Sequence, residues 1–285
     1  MTNSNKNELK DKIVVITGGA GELCGCFSEA LTDYGAKVAI IDLRKQAADN
    51  IASKIVERGG TAIGIEANVL DFKSLLNAEL ILKKEFGLCN ILINGAGGNH
   101  PKGTTTKEFF NKDDFENKKE GFITFFDLDQ EGIEFVFDLN FFGTFLPTQV
   151  FAKHMVKQGG GSIINISSMN AFKPLTKIPA YSGAKAAVSN FTQWLAVHFS
   201  KVNIRVNAIA PGFFLTEQNH SLLINEDGSY SERAKRILNH TPLGRFGKPE
   251  ELVGTLLWLI DEKASGFING AIIPVDGGFS AYSGI

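Results

Sequence analysis

Tyr181 and Lys185 stand four positions apart in AYSGAKAAV, residues 180–188, among neighbours too small to hide either of them. A free phenol titrates near pH 10 and a free ammonium slightly above it, so neither alone suits proton transfer at neutral pH. On a helix, residues i and i+4 share a face, and both can point into one site. An ammonium about 4 Å from a phenolate contributes roughly 4 kcal/mol at an effective dielectric of about 20. That is about three pK units, enough to bring the phenol from about 10 to about 7. Ser168, thirteen residues before Tyr181, closes the apolar run SIINISS with a hydroxyl able to hold a substrate oxygen in line with the phenol. A lone Tyr-x-x-x-Lys is most often a helix-surface pair. Strand, serine, gap, tyrosine and lysine together point instead to acid/base chemistry on a substrate oxygen.

A second constellation opens the chain. The apolar run IVVITGG leads into TGGAGELCG, residues 17–25, before helical periodicity resumes. Glycines there let the backbone approach a pyrophosphate at a helix N-terminus, where free N–H groups and the dipole favour an anion. Alone, such a turn is weak evidence. Asp42, about 20 residues further on at the end of the next apolar run, strengthens it, because its carboxylate can accept hydrogen bonds from both hydroxyls of an adenosine ribose. The same carboxylate repels a 2′-phosphate, which favours NAD(H). Arg44, two residues on, is a candidate phosphate partner and leaves NADP(H) open.

These residues sit on a regular alternation. Apolar runs at 13–19, 37–42, 61–69, 90–97, 162–168, 204–212 and 271–278 are separated by helical stretches. That pattern predicts an α/β fold: a single doubly wound Rossmann domain over 1–285 with a seven-stranded parallel sheet covered on both faces. One segment breaks the rhythm. Residues 99–131, Phe-rich and mixed in charge, form an insert after the fourth strand, where open α/β sheets bind ligands, and are expected to act as an active-site lid.

Composition narrows the partners. With 44% hydrophobic and 21% charged residues and a net charge of −2, the chain gives no electrostatic case for nucleic acid or an anionic membrane. MTNSNKNELKDK lacks the apolar core of a secretory signal and no apolar run is long enough to span a bilayer, so the cytoplasm is the expected location. Cys24, Cys26 and Cys89 lack zinc-site spacing and are expected to be reduced thiols, with no metal bound.

Taken together, the chain resembles the short-chain dehydrogenase/reductase family over nearly its whole length. The matching stretches are TGGAGEL (17–23), Asp42, NV (68–69), NGAG (94–97), NFFG (140–143), Ser168, YSGAK (181–185), PGFFLT (211–216) and VDGG (275–278). The resemblance implies that Tyr181 is the general acid/base, that Lys185 lowers its pKa and holds the nicotinamide ribose, that Ser168 orients the substrate carbonyl, and that Asn140 helps hold a relay water. It places Gly18, Gly21 and Leu23 at the pyrophosphate, Asp42, Asn94 and Ala96 around the adenosine ribose, and Asn68 and Val69 beside the adenine. Pro211, Gly212, the Phe214 backbone and the Thr216 hydroxyl would grip the nicotinamide. Two departures stand in the Gly-rich turn, where Glu22 and Cys24 replace usual glycines, and a third at Gly95, which replaces a usual asparagine.

A finer resemblance, in NGAGGNHPK (94–102), residues 125–144, SSMNAFKPLTKIPAYS (167–182) and APGFFLTEQN (210–219), is to the D-mannonate oxidoreductase branch. It implies reduction of a sugar-acid ketone, D-fructuronate, in hexuronate catabolism. Candidates for the substrate's carboxylate and hydroxyls are His100, Lys102, Asn170, Lys173, Gln218, Asn219 and His220. A gluconate-type polyol dehydrogenase and a non-catalytic dinucleotide-binding regulator are the alternatives. The helix after Tyr181 carries Phe191, Trp194, Leu195, Val197 and Phe199, an apolar surface too broad for one-sided burial. With the family resemblance, it implies a homotetramer.

Overall fold

The computed structural model describes residues 8–284 and, of Gln218, the backbone alone. The elements alternate from the start: β1 Ile13–Thr17, α1 Glu22–Asp33, β2 Lys37–Asp42, α2 Lys45–Glu57, β3 Thr61–Glu66, α3 Phe72–Glu85 and β4 Ile91–Asn94. After the insert, which carries the short helix α4 Lys112–Glu116, come α5 Gln130–Phe137, a π-turn at Asp138–Phe142, α6 Gly143–Gln158, β5 Gly161–Ile166 and α7 Pro179–His198. The chain finishes with β6 Ile204–Pro211, α8 Glu217–Leu223, α9 Glu232–Asn239, α10 Val253–Ile260, α11 Glu262–Ser265 and β7 Ile272–Val275.

The seven strands form one parallel sheet in the order β3-β2-β1-β4-β5-β6-β7, a single doubly wound domain as the alternation predicts. Each inner strand is apolar on both sides because each side faces helices. Val14, Ile16, Val38, Ile40 and Ile93 pack with Phe27, Leu31, Leu256 and Leu259 on one face. Ile13, Val15, Ala39, Ile41 and Leu92 pack with Leu75, Leu82, Phe151 and Met155 on the other. Strand order reverses between β1 and β4, which opens a crevice at their carboxyl ends, the place where such sheets take ligands.

All strands but β2 stop short of the ends read from the sequence, and local backbone chemistry explains where for two of them. β1 ends at Thr17, because Gly18 turns into the left-handed region at φ 60°. β3 ends at Glu66 rather than at 69: the Asn68 side chain accepts the Leu70 N–H at 3.0 Å and its own N–H donates to Ser74 Oγ at 3.0 Å, a local turn that competes with the ladder.

The insert is folded. Thr105 N–H donates to the Lys177 carbonyl at 2.8 Å, next to the segment joining Ser168 to Tyr181, and Glu108 pairs with Arg236 of α9 at 3.0 Å. Inside it, Lys107 pairs with Asp114 and lies 4.8 Å from the Phe122 ring centre. Phe109, Phe110, Phe115, Phe125 and Phe126 remain exposed. No helix among the described residues is long and apolar enough to cross a membrane.

Candidate active site

β5 delivers Ser168 and the first turn of α7 delivers Tyr181, while Lys185 lies one turn further in, 3% exposed. The Ser168 hydroxyl oxygen accepts the Asn170 N–H at 3.2 Å, which leaves its own proton free to point at a ligand or at the phenol. Lys185 Nζ donates to the Ile166 carbonyl at 2.8 Å and stands 5.7 Å from the centre of the Tyr181 ring. This corrects the expectation of an ammonium that brings the phenol to neutrality. Burial raises the Tyr181 pKa above its ordinary 10, with the Ser168 hydroxyl acting in the opposite direction, and burial lowers that of Lys185 to about 8. The ammonium is aimed at a carbonyl rather than at the phenolic oxygen, and desolvation weakens its charge as well. At neutral pH the phenol therefore holds its proton, the form that can donate to a carbonyl oxygen.

Asn140 sits in the π-turn, fully buried. Its Nδ2 donates to the carbonyls of Gly98 and Val136, each at 2.7 Å, and its Oδ1 accepts the Gly98 N–H at 3.2 Å. The side chain is thus a clamp between the helix and the loop after β4. Both amide hydrogens are spent in this clamp, and Oδ1 keeps one lone pair. Gly97 lies between the two polar groups: a Cβ there would stand 2.6 Å from Asn140 Oδ1 and 3.0 Å from Lys185 Nζ. The sequence marks Gly97 only as the end of NGAG, and nothing in its spacing announces this close approach.

The Gly-rich turn makes a backbone cradle. A Cβ on Gly18 would meet Ala96 at 2.8 Å, Gly21 is the N-cap of α1 without a side-chain cap, and Leu23 is half-buried in the first turn. The first-turn N–H groups of α1 can therefore receive an anion. Asp42, 8% exposed, accepts the Ala20 N–H at 3.2 Å through one oxygen and the Arg44 N–H at 3.0 Å through the other. The oxygen facing Ala20 keeps lone-pair capacity for a ribose hydroxyl. Arg44 folds its Nε back to within 3.5 Å of the same carboxylate. Val69 is buried, with Asn68 exposed beside it at the end of β3, next to β2. This donor and acceptor set fits a dinucleotide, with Asp42 for the ribose and the turn for the pyrophosphate.

Asn94 is placed differently from the reading. Its side chain, 1% exposed, turns into the interior, where Nδ2 donates to Thr148 Oγ1 at 3.0 Å and Asn165 Oδ1 at 2.8 Å. Its Oδ1 is buried there without a hydrogen-bond partner. On the opposite wall, Pro211 is buried and a Cβ on Gly212 would lie 2.6 Å from Asp276. The Phe214 ring covers Gly247, and Thr216 is the N-cap of α8.

The substrate candidates separate. Asn219 is a loop brace: Oδ1 accepts the Thr216 N–H at 2.9 Å and Nδ2 donates to the Phe214 carbonyl at 2.8 Å, which fixes the side chain on its own loop. Lys102 is paired with Asp129 at 3.5 Å and Glu131 at 3.9 Å, and His100 spends Nδ1 on the Lys102 N–H at 3.2 Å. His220 lines a depression with Ser221, Ile224, Asn225, Glu226 and Asp227 that contains none of Ser168, Tyr181 and Lys185. The Gln218 side chain lies outside the described residues. Two candidates remain on the segment after Ser168. Asn170 is 4% exposed with Oδ1 unpartnered, and Lys173 donates to the Tyr282 carbonyl of the C-terminal tail without an acidic partner among the described residues. The tail itself packs Phe279 on Phe213 at 5.3 Å, so it lies beside the loop after β6.

Among known proteins, the short chain dehydrogenase family pattern matches residues 12–227. An uncharacterized oxidoreductase of Haemophilus influenzae is 56% identical over 98% of this chain and 96% of its own length. The uncharacterized oxidoreductase UxuB of Bacillus subtilis is 51% identical over 97% of this chain and 98% of its own. A crystal structure from Haemophilus influenzae, of a protein provisionally named a D-mannonate oxidoreductase and holding NAD, superposes with a TM-score of 0.93 at 56% identity, covering 97% of this chain and 98% of that one.

Two outcomes follow from the geometry. Gly97→Ala drives a methyl group into Lys185 Nζ and the buried Asn140 amide, so kcat is expected to fall by about 10- to 100-fold and the melting temperature to fall by several degrees with it; an unchanged kcat would show that the two groups need not be so close. In the free protein the Lys185 charge, which favours an anionic ligand, is complete well below pH 8 and is lost as pH rises through about 8. The kcat/KM for the dinucleotide is therefore expected to be level near neutrality and to fall on an alkaline limb near that value, whereas a flat profile up to about pH 10 would mean that Lys185 retains its proton.

Proposed function

The chain belongs to the short chain dehydrogenase family, and on that footing we propose that it interconverts D-fructuronate and D-mannonate, with NADH and NAD as the preferred nicotinamide pair. The observation that carries the substrate is the likeness to the Haemophilus influenzae structure named for D-mannonate, joined to an unpaired cation, Lys173, on the same segment as Ser168. Lys173 would exchange its Tyr282 carbonyl for the sugar-acid carboxylate, and Asn170 would accept from a hydroxyl.

A bound nicotinamide nucleotide supplies or takes up the hydride. The chain's own residues do the rest. Ser168 donates its free proton to the ketone oxygen and holds it against the phenol. Tyr181 transfers its proton to that oxygen as negative charge develops on it, and takes the proton back in the reverse direction. Lys185, held by the Ile166 carbonyl, would offer a further Nζ hydrogen to a ribose hydroxyl. Asn140 fixes the loop carrying Gly97 and Gly98 against the helix, which keeps Lys185 and Tyr181 in register. Gly18, Gly21, Leu23, Asp42, Asn68, Val69 and Ala96, with the Asn94 backbone, would hold the adenosine half. Pro211, Gly212, Phe214 and Thr216 would hold the nicotinamide half. The Asp42 carboxylate, with Arg44 folded onto it, supports NADH over NADPH, because a 2′-phosphate would meet the anion first.

An aromatic stripe supports assembly. Phe141 stacks on Phe145 at 6.2 Å, Phe145 lies 5.5 Å from Phe191, Phe191 6.2 Å from Trp194, and Trp194 4.5 Å from His198. Trp194 and Val197 are 55% and 77% exposed along it. A second copy would cover this stripe in a homotetramer, and Cys24, Cys26 and Cys89, all free, suit a reducing cytoplasm.

The direct test is NADH oxidation with D-fructuronate at about millimolar concentration. Tyr181→Phe is expected to lower turnover by about 10²- to 10⁴-fold while NADH binding, followed by fluorescence, is unchanged. Absence of oxidation with D-fructuronate but not with other ketoacids would remove the substrate. Sedimentation at micromolar protein is expected to give four chains per particle, and a monomer would refute the assembly.

A further inference from the structure

Glu22 stands where the family pattern has glycine, in the turn that would face a pyrophosphate. A carboxylate aimed at that phosphate would repel it. The structure turns it elsewhere: Glu22 Oε2 accepts the backbone N–H of Glu217 at 2.7 Å, across 195 residues of chain. Glu217 is the first residue of α8, so this N–H belongs to the set that a helix leaves without an internal partner. Both the charge on the acceptor and the sign of the helix dipole strengthen the bond.

The position of the bond gives it a role. Glu22 follows β1 and Glu217 follows β6, while β4 and β5 lie between those strands in the sheet. The bond therefore spans the carboxyl ends of β4 and β5, over the crevice where the dinucleotide is expected. The loop from Gly212 to Thr216 is tied on its far side, where Gly212 N–H donates to Val275 and Gly247 N–H to Phe213, each at 2.9 Å. Its own shape is held by Asn219. Among the described residues, the Glu22–Glu217 contact is the hydrogen bond that joins this loop to the Gly-rich turn. A ligand held between the two loops leaves only when they part.

We propose that Glu22 is a latch: its carboxylate fastens the start of α8 to the Gly-rich turn and so slows release of the dinucleotide. The inference rests on the dinucleotide reading of the crevice. It makes Glu22 a positioning residue, with no contact to reacting atoms required, and it accounts for a carboxylate at a position where phosphate would otherwise disfavour one.

Three variants separate the latch from its rivals. Glu22→Gly removes the acceptor. Glu22→Gln removes the charge but keeps an oxygen in the same place. Glu217→Pro removes the donor, at a first helical position that tolerates proline and after Thr216, which already has the extended φ −133° and ψ 159° that a following proline demands. NADH release, measured by stopped-flow displacement and fluorescence, is expected to speed up about ten-fold in Glu22→Gly and in Glu217→Pro. It should speed up no further in the double variant, and Glu22→Gln should stay within about three-fold of wild type. In the ligand-free protein, amide exchange over 213–223 should quicken in Glu22→Gly and not in Glu22→Gln. If Glu22→Gly and Glu22→Gln both slow release, the carboxylate acts by repelling phosphate and the latch is wrong. If the two single effects add in the double variant, the two groups do not act on each other and the latch is again wrong. If the wild-type protein takes up no NADH at all, the dinucleotide reading itself fails, which these variants could not produce while wild-type binding persists.

Discussion

An ammonium taken almost wholly out of water is the costliest group near the catalytic centre, and much of the local architecture follows from satisfying it. Lys185 has the Ile166 carbonyl at 2.8 Å and open space at Gly97, where any side chain would intrude. The carbonyl is available because β5 ends at Ile166, and the space exists because the loop after β4 is glycine-rich and pinned by Asn140. Asn140 reaches that loop from a π-turn, a local widening of the helix that is common at functional sites. Strand end, glycine and widened helix thus answer one desolvation problem.

A buried polar chain carries the same geometry into the sheet. Thr144 Oγ1 donates to the Asn140 carbonyl at 2.9 Å and Thr148 Oγ1 to the Thr144 carbonyl at 2.8 Å, while Asn94 bonds Thr148 and Asn165, whose Nδ2 donates to Thr192 of α7 at 2.9 Å. The helix bearing Asn140 and the helix bearing Tyr181 and Lys185 are therefore linked through two strand ends. Low local polarity strengthens each bond and makes each loss expensive, so such a network favours one arrangement over near alternatives.

How much was legible depended on whether a property is carried by pattern or by contact. Alternating apolar runs pointed to the seven strands, and a tyrosine–lysine spacing with an upstream serine pointed to three side chains that the fold brings together, because helix and strand periods are fixed by backbone geometry. The strength of the tyrosine–lysine coupling was not legible. It depends on where Nζ points, and the Ile166 carbonyl that captures it leaves no trace in residue spacing. Asn94 and Asn219 show the same limit: their types suit ligand binding, yet tertiary partners turn one into the interior and fix the other on its own loop. The Phe-rich insert could be located but not folded, since its ties to Lys177 and Arg236 are long-range and irregular.

The two remaining departures from the family pattern share a volume. A Cβ on Gly95 would come within 2.2 Å of Cys24 Sγ, a thiol that burial pushes up to about 12 and so keeps as an uncharged filler. The sulfur occupies room that an asparagine side chain would claim, and the bare glycine backbone makes room for the sulfur. Positions 24 and 95 are thus one steric unit contributed by the first turn of α1 and the loop after β4. Consensus repair of either alone would open a void or force a collision, so any ancestral or engineered route between this loop and the common one has to change both together.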